Sequence, residues 1–148
     1  MNESIRFFRA AASDAAKAAR LADQMWSPDE EREREFAELI ASDNAAVFIA
    51  EADGQAVGFA QCGLRHDYVE GKDSDGPVGY LEGIYVEEAY RGRGIARMLL
   101  CLCEDWAREK GCTEFASDTQ LHNGDGLRFH LSCGFEEAGR IICFIKKL

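Results

Sequence analysis

The apolar positions of this chain change period several times, and each change marks an element. Ile5 to Arg9 is a short apolar-rich run that predicts an edge strand. Ala15, Ala18, Ala19, Ala22, Met25 and Trp26 then recur at the i, i+3, i+4, i+7 spacing of one helix face, with Ser13 or Asp14 as its cap. Ser27-Pro28-Asp29-Glu30 reads as a capping box with Pro at the first helical position. It predicts a second, strongly charged helix whose buried stripe is Phe36, Leu39 and Ile40. Ala45 to Ala52 and Gln55 to Leu64 are β-type runs joined by Asp53-Gly54, a hairpin signal. His66 to Pro77 is polar, contains glycine and is too long for a tight turn, which predicts a surface loop of the kind that carries function. Val78 to Val86 resumes as a strand. Ile95, Met98, Leu99, Leu102, Cys103 and Trp106 mark a long amphipathic helix ended by Gly111. Thr113 to Ser117 predicts a short strand and Leu127 to Cys133 a short helix, and a final strand pair is expected from Gly134 to near Lys147. No repeat or linker divides the chain, so residues 1–148 read as a single domain of order β-α-α-β-β-loop-β-α-β-α-β.

Composition narrows the partners. With 47% hydrophobic residues and two prolines, the chain can bury a substantial core without disulfide staples. A net charge of −10 argues against nucleic acid, which needs a clustered positive footprint, and favours a small cationic partner. No apolar run approaches the roughly 20 residues of a membrane span and no signal peptide pattern opens the chain, so a cytoplasmic protein away from membranes is expected. Cys62, Cys101, Cys103, Cys112, Cys133 and Cys143 include no C-x-x-C pair. They are expected to be reduced, buried small hydrophobes rather than metal ligands.

The sharpest chemical signal is a strand feeding a glycine-rich turn that opens a helix: Tyr85-Val86, then Glu87-Glu88-Ala89-Tyr90, then Arg91-Gly92-Arg93-Gly94-Ile95-Ala96-Arg97. Such a turn leaves the first helical N–H groups unpaired at the positive end of the helix dipole, and glycine lets backbone approach an anion. Arg91 and Arg93 add charge, so a pyrophosphate is the expected ligand. A dinucleotide fingerprint would need glycine where Arg97 stands, and Gly71-Lys72 is followed by Asp73 rather than by the hydroxyl residue and helix of a P-loop.

Arg91-x-x-Gly94-x-Ala96 resembles the acyl-CoA pyrophosphate loop of the GNAT superfamily of N-acetyltransferases. The order of strands and helices resembles that superfamily over essentially the whole chain. The resemblance implies an α/β (α+β) fold with a central mixed, mostly antiparallel sheet, splayed where acyl-CoA inserts and flanked by helices. It implies that Ile84 supplies the N–H for the thioester carbonyl, that Tyr85 and Val86 run beside the pantetheine arm, and that Asn123 belongs to a second cofactor-contacting element. Leu64-Arg65-His66-Asp67-Tyr68-Val69, Leu81-Glu82-Gly83-Ile84-Tyr85-Val86, Ala116-Ser117-Asp118-Thr119 and Gly134-Phe135-Glu136-Glu137 are, more narrowly, similar to the type I aminoglycoside 6′-N-acetyltransferases. That likeness implies acetyl-CoA as cosubstrate, a polycationic aminosugar acceptor, antibiotic resistance and a homodimer.

Acetyl transfer to an amine needs a neutral amine, a stabilised oxyanion and a proton for the leaving thiolate. Glu82 interrupts an apolar strand beside the cofactor-pairing residues, where a carboxylate could bind the ammonium and take its proton; a solvent-facing strand residue is the plainer alternative. Asp118 resembles the family's acceptor-binding carboxylate, and otherwise reads as a turn residue or cap. His130 stands where many superfamily members place a tyrosine proton donor; alternatives are a structural histidine, a positioned water or an unassisted thiolate. Trp26 and Tyr68 resemble acceptor-contacting aromatics, although Trp26 also fits a core role at its helix end. Asp73, Asp75, Glu136 and Glu137 either extend the acidic field around the acceptor or form an ordinary solvated face, and the resemblance assigns Glu137 to the acceptor. No cysteine has a nucleophile's setting, which favours direct transfer and no metal. Acetylation of another polyamine or a protein amine, and a catalytically idle acyl-CoA-binding module, remain the competing readings.

Overall fold

A computed structural model describes residues 4–148. Its strands are β1 (Ile5–Arg9), β2 (Ala45–Ala52), β3 (Gln55–Arg65), β4 (Val78–Val86) and β5 (Phe115–Ser117). They form one sheet in the order β1-β2-β3-β4-β5, antiparallel except for the parallel β4–β5 pair. Asp53 and Gly54 both take positive φ, 48° and 78°, which is what a two-residue hairpin between β2 and β3 demands. The helices are α1 (Ala15–Met25), α2 (Arg32–Ala41), α3 (Ile95–Glu109) and α4 (Gly124–Ser132).

Both faces of the sheet are covered, and this explains why β2 reads as an unbroken apolar run. Val47 and Ile49 point to one side, where Phe59, Leu21 and Ala22 of α1 and Phe36 of α2 complete a cluster. Ala46, Phe48 and Ala50 point to the other, against Leu99, Leu100, Cys103 and Trp106 of α3. Phe36 and Phe59 meet edge to face with centroids 5.7 Å apart. The mixed, helix-flanked sheet is the fold class expected from the sequence.

The feature that positions the site is a split. On one edge β4 pairs with β3 from Val78 to Val86, whereas β5 pairs on the other edge only at Gly79, Tyr80 and Leu81. From Glu82 to Val86 the second edge of β4 has no strand beside it among the described residues, which leaves a wedge between β4 and β5.

Several local expectations change. The capping box at Ser27-Pro28 does not open α2, which starts at Arg32. Asp29 instead accepts the Glu31 N–H at 2.9 Å, and this side-chain turn satisfies the backbone before a helix can begin at Pro28. Asp14 is the cap residue of α1, yet its carboxylate accepts the Ala11 N–H at 2.9 Å and caps the preceding turn. Helix α4 begins at Gly124, three residues before its apolar stripe, because Asn123 caps it by accepting the Gly126 N–H at 2.9 Å. The final strand pair is absent: residues 135–148 form no strand, and Ile141, Ile142, Phe144, Ile145 and Leu148 are exposed. Their β propensity is real, but a strand needs a neighbour to complete its hydrogen bonds, and none stands beside the tail. Cys101 and Cys143 are exposed rather than buried, while Cys62, Cys103 and Cys112 are core residues and all six are unbonded thiols.

Candidate active site

The start of α3 is an open cradle for an anion. Gly92 and Gly94 take φ of 77° and 80°, and a Cβ built on either would meet nothing within 4 Å. Gly94 is the N-cap and gives no side-chain cap, so the first N–H groups of α3, those of Ile95, Ala96 and Arg97, point out of the helix unpaired by a preceding turn. Arg91 donates from Nε to the Val86 carbonyl at 2.8 Å and lies over the Tyr85 ring, which braces the loop against the end of β4. Arg93 reaches the Ala89 carbonyl at 3.3 Å, and Arg97 ties α3 to α4 through the Ser132 carbonyl at 2.9 Å. Backbone donors, a helix dipole and guanidinium groups are a donor set that fits a pyrophosphate. Ile95 is buried, so it offers the ligand backbone alone. Tyr85 likewise turns its hydroxyl away, to Gln24 Oε1 at 3.0 Å, while Ile84 packs on the α3 side of the sheet.

A second opening faces the wedge. Trp26, just past α1, and Glu82 of β4 share a cleft of about 270 Å³ with Arg32, Glu35, Phe36, Leu39 and Gln61. Gly83 makes this possible: a Cβ there would lie 2.6 Å from the Trp26 ring, so only glycine lets the indole lie on the strand. Trp26 is 38% exposed, combining a buried edge against Phe59 with an open face. Its neighbour Arg32 is already neutralised by Asp23 at 2.5 Å.

Glu82 and Asp118 are joined through two residues that the sequence reading left aside. Arg65, the last residue of β3, grips Glu82 with both arms of its fork, Nε to Oε1 at 2.8 Å and Nη2 to Oε2 at 2.7 Å. Its guanidinium carbon lies 3.6 Å from the centroid of the Tyr80 ring, and the Tyr80 hydroxyl donates to Asp118. Burial, then the Asp118 contact, push the Tyr80 phenol well above its ordinary value, so it remains a donor. The Glu82 hydrogen bonds push the Arg65 guanidinium further above its ordinary range, so its charge is permanent. Tyr80 was findable, since it stands two residues before Glu82 on the same strand face. Arg65 was not, because its reach depends on a register shift at Gln61/Cys62.

His130 comes to the same end of the wedge by way of Ser117, the last paired residue of β5. Its Nδ1 is 2.6 Å from the Gly126 carbonyl, which can only accept, so Nδ1 carries the hydrogen. In the neutral ring Nε2 therefore accepts from Ser117 Oγ at 2.7 Å. Phe135 packs edge-on against the imidazole, with centroids 5.1 Å apart.

Other candidates stand apart. Asn123 lines a separate open cleft of about 470 Å³ with Gln120, His122, Gly124, Asp125 and Arg128, beside the start of α4. Tyr68 is 95% exposed in left-handed backbone, outside the residues lining the Trp26–Glu82 cleft. Glu137 is exposed on the tail, and its ion pair with Arg140 holds its carboxyl below the usual range. The backbone N–H groups of Asp73 and Ser74 donate to Glu114, which anchors that loop and lowers the Glu114 pKa. Among the described residues no group of His, Cys, Asp and Glu could hold a metal ion.

A wedge beside an anion cradle, opening on an aromatic and carboxylate cleft, is the site of a protein that can seat a pyrophosphate-bearing cofactor next to a cationic acceptor. The sequence pattern of the acetyltransferase (GNAT) family matches residues 13–135, and the chain belongs to that family. It is similar to an aminoglycoside N(6′)-acetyltransferase type 1 of Stenotrophomonas maltophilia, 42% identical over 92% of this chain and 89% of that one. It superposes on aminoglycoside N-acetyltransferase AAC(6′)-Iy in complex with CoA with a TM-score of 0.93 at 37% identity, covering 100% of this chain and 98% of the other. The same enzyme in complex with a bisubstrate analogue, CoA-S-monomethyl-acetylneamine, gives a TM-score of 0.91 at 38% identity, covering 98% and 99%.

Proposed function

We propose that this acetyltransferase moves the acetyl group of acetyl-CoA directly onto the 6′-amine of an aminoglycoside, and so confers resistance. The observation that carries the reading is the Trp26–Glu82 cleft opening onto the unpaired half of β4: an aromatic face for a sugar and carboxylates for its ammonium groups, next to the anion cradle. The named activity of the relatives supports it. Acetyl-CoA supplies an activated thioester. The loop from Arg91 to Arg97 holds its pyrophosphate, Asn123 at the start of α4 gives a second, separate contact to the cofactor, and the β4 edge from Ile84 to Val86 takes the pantetheine arm. The Ile84 N–H stabilises the oxyanion as the amine nitrogen bonds to the acyl carbon and the C–S bond breaks. Glu82 and Asp118 bind the ammonium and accept its proton, with Trp26 beneath the sugar and Tyr68 and Glu137 contacting its outer parts. His130 serves the thiolate only as imidazolium, because its neutral ring has no hydrogen on the nitrogen that faces Ser117; the proton then passes through Ser117 Oγ.

Purified protein given acetyl-CoA, a thiol dye and a panel of aminoglycosides, diamines and peptides is expected to release CoA with 6′-amino aminoglycosides and not with their 6′-hydroxyl analogues. Preference for a peptide or diamine overturns the acceptor, and CoA binding without turnover leaves a binding module.

The working form is a cytoplasmic homodimer. Acetyl-CoA is made in the cytoplasm, and that compartment keeps six free thiols reduced. The dimer is supported by the exposed apolar tail, in which Phe144 is 90% and Ile145 98% exposed, and by the open outer edge of β5. Light scattering should give twice the chain mass, and Ile142→Asp with Ile145→Asp should halve it; a monomeric wild type removes this part of the reading.

A further inference from the structure

We infer that Arg65 is the residue that makes the acceptor amine reactive: a positioning residue that matches the charge of Glu82, so that an incoming ammonium is not held in its protonated form. The inference rests on the aminoglycoside reading above. Both oxygens of Glu82 face the Arg65 fork at 2.8 and 2.7 Å, and the guanidinium is stacked on Tyr80, whose hydroxyl in turn holds Asp118. Glu82, Arg65, Tyr80 and Asp118 therefore form one fixed chain along the wall of the wedge. Arg65 is an odd choice for a site that must bind a cation, since it takes up the carboxylate that would attract one. It makes sense if the site must also discharge that cation. A bare carboxylate binds an ammonium well but raises its pKa, which removes the lone pair needed for attack. A carboxylate already paired with a permanent, bidentate cation still accepts a hydrogen bond, while the added positive charge favours the neutral amine. The other charges facing this point are Glu35 and the Arg32–Asp23 pair of the α1 and α2 side and Asp118 beyond β5, with His130 of α4 behind Ser117. Arg32 is matched by Asp23, so Arg65 is the cation whose removal changes the balance at Glu82.

The sign of the expected effect separates this role from a structural one. Arg65→Met should bind a 6′-amino aminoglycoside more tightly, with KM and Kd lower by about threefold to tenfold. Turnover should fall by about tenfold at pH 7, with the acid limb of kcat moved up by about one pH unit, because one unit is a tenfold change in the neutral amine. Calorimetry in two buffers of different ionisation enthalpy gives the protons released on binding neamine to the CoA-loaded enzyme. The wild type should release more than Arg65→Met, and Arg65→Lys, which keeps the charge without the fork, should stay close to wild type. Arg65→Gln replaces Arg65→Met if circular dichroism shows that the latter does not fold. Weaker binding with an unmoved acid limb, or Lys and neutral variants that behave alike, overturns the inference while leaving the acetyltransferase reading intact. A wild type that neither binds nor acetylates neamine removes that reading and this inference together.

Discussion

Glu82→Gln is expected to lower kcat/KM for an aminoglycoside by about 100-fold to 1,000-fold, the lower part of the range lost when a positioned proton acceptor is removed. The amide keeps the size of the carboxylate and can still accept one hydrogen bond from Arg65, so the wall of the wedge should keep its shape. Two changes act together. The residue can no longer take a proton from the amine, and the Arg65 charge, matched at 2.7 Å in the wild type, is left facing the acceptor. KM should therefore rise, opposite in sign to the change expected for Arg65→Met. Asp118→Asn should cost less, about tenfold, because the Tyr80 hydroxyl donates equally well to an amide oxygen. CoA affinity should stay within about twofold in both, since the cradle from Arg91 to Arg97 touches neither side chain. Steady-state kinetics with titration of CoA checks all three quantities. A kcat/KM within threefold of wild type in Glu82→Gln would take Glu82 out of the reaction.

What could be read from the sequence follows how locally each feature is determined. β2 and β4 begin and end at the expected residues, and α3 begins where its glycine turn ends, because turn chemistry and apolar period are written within a few positions. The cradle was legible for the same reason. α2 was misplaced by a contest between two local motifs at Ser27 and Asp29, both able to satisfy the same backbone donors, and the side-chain turn won. The tail was misplaced for a non-local reason. Alternating apolar residues mark a strand only when an edge pairs with them, and among the described residues no strand pairs with Ile141 to Ile145. The site divides in the same way. Glu82 and Asp118 were put forward from resemblance, and the Arg65–Tyr80 chain that joins them depends on cross-strand register and on a side chain reaching along β4. His130 was one of several candidates for the acid, and its hydrogen position depends on Gly126 and Ser117, residues with no chemical signature of their own.

Gly94→Asp is expected to raise the Kd for CoA by about 100-fold or more, and its strength as a test lies in a matched control. Gly94 and Gly54 have nearly the same φ, 80° and 78°, and a Cβ at either would meet no atom within 4 Å. Aspartate at either position therefore carries the same backbone cost, about 1–2 kcal/mol for a residue with a Cβ in the left-handed region, lessened by the local hydrogen bonds aspartate makes. The two positions differ in what faces them. Gly54 turns a hairpin at the surface, whereas Gly94 caps α3 where the unpaired N–H groups of Ile95, Ala96 and Arg97 converge. A carboxylate there lies beside those donors and meets the incoming pyrophosphate with like charge. Thermal unfolding should show Gly94→Asp about as stable as Gly54→Asp. Only Gly94→Asp should lose CoA, and the loss should shrink as salt is raised because repulsion between exposed charges is screened. Equal loss of CoA in both variants would mean that strain alone weakens binding, and would remove the start of α3 as the pyrophosphate seat.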